Sequence, residues 1–521
     1  MYPAMLRLYS MGYLDTAFLS MRPWTRRAAL HALQESKSDI MADQNDTAVE
    51  TLAALLNELE AERPGGQIRR GLVAGVENAY VRVMANGGGP VLRDSWHLGQ
   101  SYINDYGRPY GEGFNTYDGG TYIAEWGRFS LKVRGEYQGS AARKGYSPAL
   151  AATLSAVDYI PYTGFNARQD TIPEGNTPRE DAFRLINATV SVHLLNHEIS
   201  FGKMDNWFGP ARGGGMAWSN NADNIYAFRI NRVEPLHIPL LSWLIGPVRY
   251  DIFLGPLQGH TYPNSPWVHS SMFAFKPTKN LEFSFQRSAI WGGKAHAPIT
   301  LHTFLHSFFH FDDTSSDLKF SRDDPGARFS AFSFAYRLPF LRRSVTLLLD
   351  STTHDDVTPP SAPRRAGFRT GLEIPQLPFA PKWEARVEAV LTDYSTSRST
   401  HGTGNYYETV QRQGYTNKGF IFGDWIGREG KGGQAWLTYH LSPKETVEFQ
   451  YRRKKNAKDF VDQGTTQNTY TLSLMKRLTA RTELDAAFSY EAWKAPIWQT
   501  GQQNLFTGNF QIKWYPRLLA R

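Results

Sequence analysis

The chain has 521 residues, with 57 Lys and Arg against 49 Asp and Glu (net charge +8), 14% aromatics and no cysteine. The missing cysteine removes disulfide-stapled modules and cysteine zinc sites, and 41% hydrophobic residues remove a disordered or collagenous chain. The basic excess is mild and spread out, so it gives no nucleic-acid signal, and the longest strongly apolar uncharged run, Pro235–Pro247, is too short and proline-bound for a spanning helix.

The first 65 residues read as short helices. Pro3–Tyr9 is helical in pattern and is stopped by Gly12. Thr25 is placed to cap a second helix carrying Ala28, Ala29, Leu30 and Leu33. A third starts near Asp46, with Val49, Leu52, Leu55, Leu56 and Leu59 on one stripe, and ends at Arg63-Pro64-Gly65-Gly66. That break is the expected boundary between a helical plug or cap (1–65) and a second domain (66–521). Met1–Tyr9 has no apolar core of signal-peptide length, and the rest of the chain favours an exported protein whose signal is absent from this sequence.

Beyond the boundary the apolar period changes from helical to strict alternation. Leu131, Val133 and Tyr137 alternate with Lys132, Arg134, Glu136 and Gln138; Trp383, Ala385, Val387, Ala389 and Leu391 with Lys382, Glu384, Arg386 and Glu388. Val447, Phe449 and Tyr451 alternate with Glu448, Gln450 and Arg452, and Phe506, Phe510, Ile512 and Trp514 with Thr507, Asn509, Gln511 and Lys513. One face of each strand therefore meets an apolar medium and the other meets polar groups. A soluble sandwich needs far fewer than the about eighteen such segments present, and its strands do not carry charges of both signs along their whole length.

Tight turns at Leu194–His197, Lys276–Asn280, Leu338–Arg343, Leu441–Lys444 and Arg477–Ala480 alternate with long loops near 139–181, 206–225, 291–327, 355–367, 395–431 and 493–503. This predicts an all-β fold, a transmembrane antiparallel barrel of about 18 strands with a small N-terminal helical subdomain. Trp126, Phe129, Trp267, Trp291, Trp383, Trp493 and Trp514 are placed for interfacial girdles. Lys132, Arg134, Glu136, Glu384, Arg386, Glu388, Glu448, Arg452, Glu483 and Asp485 should face the bore and brace it by cross-strand pairing.

Gly99-Gln100, Asn104-Asp105-Tyr106-Gly107-Arg108-Pro109-Tyr110, Gly113-Phe114-Asn115 and Glu136-Tyr137-Gln138 resemble segments of the Wzi-type capsule assembly family. The most specific likeness is Gly202-Lys203-Met204-Asp205-Asn206-Trp207-Phe208-Gly209-Pro210, continued by Met216-Ala217-Trp218-Ser219-Asn220-Asn221-Ala222. The resemblance runs from about residue 70 to the C-terminus. It implies an outer-membrane barrel lectin, closed by helices at its periplasmic end, that holds capsular polysaccharide at the cell surface. Leu6–Leu33 is similar, more weakly, to a surface-layer homology helix pair that binds cell-wall polymer, through Gly12-Tyr13-Leu14-Asp15 and Pro23-Trp24-Thr25-Arg26. The lead therefore reads either as a cap under the barrel or as a peptidoglycan tether.

Two clusters carry the chemistry of sugar recognition. Trp207, Phe208 and Trp218 lie near Asp205, Asn206, Arg212, Asn220 and Asn221, a set in which rings stack on pyranose faces and amides and charges take hydroxyls. The same residues, with Gly209, Pro210 and Gly213–Gly215, can instead pack an inward-folded loop. Trp425 and Arg428 sit in a glycine-rich stretch, 414–433, that reads as an exposed recognition loop or an ordinary one. His302, His306 and His310 recur every fourth residue, so neighbouring pairs can chelate a transition metal; the alternative is an amphipathic helix whose histidines face water while Leu301, Phe304, Leu305, Phe308 and Phe309 pack.

No nucleophile elbow, phosphate loop or metalloprotease pair is present, so neither an enzyme nor a cofactor is expected. The expected partners are surface or capsular polysaccharide, outer-membrane lipids and lipopolysaccharide, and peptidoglycan if the lead is a tether. A sugar-permeable porin is the other reading of the barrel.

Overall fold

Alternating strands exposed to lipid must pair on both sides, because an open edge would leave backbone groups unsatisfied. The computed structural model describes residues 2–62, 72–164, 168–341, 343–355, 357–393 and 400–520, and shows a closed antiparallel barrel of 18 strands. The first six are β1 (Leu72–Gly88), β2 (Gly113–Trp126), β3 (Phe129–Ser140), β4 (Glu180–Leu194), β5 (His197–Lys203) and β6 (Tyr226–Arg232). Next come β7 (Val248–Pro256), β8 (Trp267–Thr278), β9 (Leu281–Trp291), β10 (Ala327–Arg337), β11 (Thr346–His354) and β12 (Gly367–Ile374). The last are β13 (Trp383–Leu391), β14 (Gly430–Ser442), β15 (Glu445–Asn456), β16 (Thr465–Thr479), β17 (Thr482–Ala495) and β18 (Gln499–Trp514). β1 closes the ring, pairing with β2 on one side and with β18 on the other, from Ala79↔Trp514 to Gly88↔Leu505.

The alternation sorts side chains as the sequence predicts. Leu131 and Tyr137 on β3, and Phe506, Phe510, Ile512 and Trp514 on β18, are exposed on the outer wall. In the bore, Glu388 pairs with Arg369 (2.8 Å) and Arg386 (2.7 Å), Arg452 with Glu491 (3.2 Å), and Lys513 with Asp485 (2.6 Å). The girdle assignment holds for Trp126, Phe129, Trp383 and Trp514, which are exposed. It fails for Trp291 and Trp493, which are buried. A loop helix covers Trp291 (Phe304 ring at 5.7 Å), and Trp493 stacks on Trp498 at 5.4 Å and donates Nε1 to the Pro90 carbonyl.

Connections at one rim are mostly short. Those at the other run through 89–112, 141–179, 204–225, 292–326 and 392–429. Three loop lengths differ from expectation. The stretch 493–503 is largely strand, leaving only 496–498 between β17 and β18, because polar residues pair equally well where a ladder extends into water. The segment 89–112, absent from the expected long loops, is one, with a two-residue ribbon (Arg93–Asp94 with Gly99–Gln100). On the short-turn rim, 233–247 is long.

The N-terminal lead forms α1 (Tyr2–Ser10), α2 (Arg26–Asp43) and α3 (Asp46–Glu62). Thr25 caps α2, its Oγ1 accepting from the Ala28 amide at 3.2 Å. Leu33, Ile40, Leu52, Leu55 and Leu59 share one core with wall residues Ala335 and Leu348, so the lead is packed into the barrel mouth rather than beside it. The expected boundary at 63–66 lies outside the described residues. Several wall residues hold the lead at the short-turn rim, among them Arg337 on β10, which pairs with Asp15 (2.9 Å), and two more on β8 and β9. Glu282 on β9 accepts from Tyr9 Oη (3.0 Å), the Leu19 and Ser20 amides (2.9 and 2.8 Å) and Ser20 Oγ (2.5 Å). Lys276 on β8 donates to the carbonyls of Asp15 (2.8 Å) and Ala17. Beyond this anchorage the chain pairs Met21–Arg22 antiparallel with Trp207–Phe208, a loop segment that enters from the opposite rim.

Candidate functional site

Three long loops fold into the bore and meet there. Their inward course depends on wall carboxylates that accept loop backbone amides. Glu388 accepts from Arg212 and Gly213 (2.8 and 3.0 Å), and Asp350 from Met216 (2.7 Å). So close an approach leaves no room for side chains. A Cβ at Gly209 would overlap Asp350, one at Gly213 would overlap Gln434, and one at Gly214 would overlap Asp424. Gly209 also holds φ 124°, which favours glycine. The glycines of this motif are thus required by packing, Gly209 and Gly213 against the wall and Gly214 against the 392–429 loop.

The two motifs that carry the family likeness bind each other. Tyr106 and Gly107 donate their amides to the carbonyls of Asn220 (2.8 Å) and Asn221 (3.0 Å). Asn221 Nδ2 donates to Gln100 Oε1 (2.9 Å), and Asn104 Nδ2 to the Gly213 carbonyl (2.8 Å). Arg108 binds Glu136, and Lys203 binds Asp223 at 2.7 Å. Gly99, Pro109 and Pro210 complete the same plug, Gly99 facing Lys454 and Gln467, whereas Gly202 is a wall residue on β5 lying against the Ala188 carbonyl of β4.

The residues expected to touch a glycan are placed by this plug. Asn206, Phe208, Trp218, Asn221, Trp425 and Arg428 are buried, and Asp205, Trp207, Arg212 and Asn220 are half-buried. Trp218 stacks on Phe422 at 4.0 Å and meets Phe253 and Tyr415 edge-on at 4.9 and 5.8 Å. The guanidiniums of Arg369 and Arg452 lie 5.7 and 5.4 Å from the Trp425 ring centre, and that of Arg22 lies 5.1 Å from Trp207. With their ring faces so occupied, Trp218 and Trp425 have none to offer a sugar. The 414–433 stretch is correspondingly buried rather than exposed, because its aromatic residues fill the bore.

An acid–imidazole–acid chain ties the outer loops together. His97 Nδ1 lies 3.1 Å from Asp94, and its Nε2 lies 3.0 Å from Asp158 at the end of α4 (Pro148–Val157). Asp158 also takes Arg428 (2.5 Å) and Trp96 Nε1 (3.1 Å). Burial opposes protonation of His97, but Asp94 and Asp158 outweigh it and raise its pKa from 6.5 to about 9. Because the folded value exceeds the unfolded one, the stabilisation, about 3 kcal/mol, is full below pH 6.5 and is lost as pH rises through 9. Urea unfolding of the parent and of His97→Gln should therefore differ most at pH 6 and converge above pH 9; a gap that widens with pH would contradict this assignment.

Histidine positions also separate. The rings of His306 and His310 lie 5.1 Å apart, but among the described residues no three His, Cys, Asp or Glu side chains gather as a metal site, so His302 adds no third ligand. Phe304 and Phe308 pack as expected, whereas Leu301, Leu305 and Phe309 are exposed.

Residues not singled out from sequence occupy the outer surface of the loops. Tyr159 is exposed beside Tyr407 (6.4 Å). Arg412 lies 4.5 Å over the Tyr262 ring and donates to the carbonyls of Tyr159 and Thr409. This places two tyrosine rings and a guanidinium together at the long-loop face. The clue lay in the aromatic–proline pairs Tyr262-Pro263 and Pro161-Tyr162 within long loops, but no spacing rule joins residues 159, 262 and 412.

A family model described as capsule assembly protein Wzi matches residues 82–507. An uncharacterized 55.8 kDa protein in the cps region of Klebsiella pneumoniae is 27% identical over 158 residues; that match covers 30% of this chain and 30% of the relative's length. Among solved structures, the chain is similar to Wzi of Escherichia coli, described as an outer membrane protein involved in group 1 capsule assembly and a carbohydrate-binding β-barrel. The TM-score is 0.69 at 16% identity, covering 99% of this chain and 97% of that one. The outer membrane protein OprD of Pseudomonas aeruginosa gives a TM-score of 0.42 at 10% identity, covering 89% and 97%.

Proposed function

The chain belongs to the Wzi capsule assembly family, and from that membership we propose that it is a non-catalytic outer-membrane lectin that holds surface polysaccharide. The observation that carries this reading is that the long loops fold into the bore and pack there as a buried core. A polymer then has the long-loop face to bind, where Tyr159 offers an exposed ring and Arg412, held over one face of Tyr262, offers charge-assisted donors to acidic or hydroxyl-rich sugars. Trp207, Trp218, Trp425 and Arg428 support that face from beneath. Many weak contacts along a repeating chain give avidity without a deep pocket. In this setting the lead faces the periplasm, where its solvent side is the surface left for cell-wall polymer, and the outward band meets membrane lipid and lipopolysaccharide.

Retention on immobilised capsular polysaccharide tests the reading. Tyr262→Ala and Arg412→Ala should each weaken retention about tenfold, the loss of one stacking or charged contact, while the heat-resistant barrel band on gels is unchanged. Full retention by the double variant would move the binding surface elsewhere.

A further inference from the structure

Two short helices lie outside the barrel wall, on the same side. The first, α5 (Leu241–Ile245), sits in the 233–247 connection and packs against the short-turn end of β8. On β7, Val248 shares the outward parity of Tyr250, Ile252 and Leu254, yet it is only 5% exposed because this connection folds over it. Leu236 and Val248 exchange both backbone hydrogen bonds there, at 2.8 and 3.0 Å.

The second, α6 (Leu301–Phe309), covers the opposite end of the same face. His269 on β8 has the outward parity of the exposed Phe273 but is 2% exposed. Its Nε2 lies 2.9 Å from Ser307 Oγ, and the rings of Phe304 and Phe308 are 5.7 and 5.4 Å away. Arg287 and Arg328, outward on β9 and β10, donate to the carbonyls of Phe308 and Asp312 at 2.8 Å each and tie down the end of α6.

The sides of these helices that face away from the wall are also apolar. Leu240 is 91% and Trp243 90% exposed, with Leu244 beside them; on α6, Leu301, Leu305 and Phe309 form an exposed stripe. Phe340 and Phe379, on neighbouring turns of the short-turn rim, are also bare. A segment apolar on both faces does not suit water. Leu240 keeps φ 66° and ψ −49°, a backbone state that costs a leucine energy and yet leaves its side chain outward. Both patches continue the lipid-facing band of Phe273 and Phe285, and Pro235–Pro247 carries no formal charge. That continuity selects lipid as the occupant.

We propose that α5 and α6 are interfacial anchors that fix the β7–β10 side of the barrel in the bilayer, α5 in the phospholipid of the inner leaflet and α6 in the lipid of the outer leaflet. The 233–247 run, too short to cross a membrane, has the length and character to lie in its surface.

The absence of native cysteine allows clean single-site labelling. Trp243→Cys and Phe309→Cys, each carrying a nitroxide, are placed in phosphatidylethanolamine–phosphatidylglycerol vesicles. Lys279→Cys, at the β8–β9 turn, is the aqueous control. The ratio of relaxation by oxygen to relaxation by a water-soluble nickel chelate should be several-fold higher at 243 and 309 than at 279. Chelate access at 243 or 309 equal to that at 279 overturns the proposal. So does protection accompanied by spin–spin broadening that disappears on dilution with unlabelled protein, since a second copy would then cover the patch. If a label at 243 prevents formation of the heat-resistant barrel, Leu244→Cys provides the same readout.

Discussion

Planar-bilayer recordings of Glu388→Ala are expected to show flickering conductance where the parent barrel stays closed. Glu388 is fully buried and holds four groups at once: the Arg212 and Gly213 amides and the guanidiniums of Arg369 and Arg386. Removing it leaves two cations short of an acceptor and two amides without one, a cost of about 3–5 kcal/mol that falls on the loop. The population of the displaced loop should rise about a hundredfold or more. The ladder hydrogen bonds of the wall are untouched, so the barrel should remain heat-resistant. Glu388→Gln, which keeps acceptor geometry without the charge, should fall between. A silent Glu388→Ala would show that Asp350 and the Trp218–Phe422 stack hold the loop unaided. Steady open channels in the parent would favour the porin reading.

Glu282→Ala is expected to free the helical lead without opening the wall. This carboxylate accepts four hydrogen bonds from Tyr9, Leu19 and Ser20. Loss of a buried acceptor with several charge-assisted bonds costs about 3–5 kcal/mol. Trypsin should then cut the lead near Arg27 and Lys37 at least tenfold faster than in the parent, while the barrel band persists. Tyr9→Phe, which removes one donor, should have a small effect, about 1 kcal/mol. An unchanged cleavage rate would place the anchorage in the apolar core shared with Ala335 and Leu348.

Alternation along the strands was enough to read the barrel, its rims and its lumenal charges, because burial on one face repeats every second residue. The plug was legible only as composition. Tryptophan, asparagine and glycine at 202–222 suit a sugar platform and a packed core equally, since both need flat rings and amide donors; burial decides between them. The decisive contacts join distant residues, Asn221 to Gln100 and Arg212 to Glu388, and spacing along a chain carries no trace of them. The glycines are required by side chains distant in the chain, Asp350, Gln434 and Asp424, which a local reading cannot see. For 301–310 the helix was legible but not its setting: on the outside of the wall it covers Phe304 and Phe308 and leaves Leu301, Leu305 and Phe309 bare.

The ribbon between Met21–Arg22 and Trp207–Phe208 bears on mechanics. It joins the lead to the inward loops by backbone pairing inside the bore. Tension applied to a polymer at the cell surface would therefore pass down the inner column of the barrel to the lead, and the lipid-facing wall would act as a sleeve around a through-bolt.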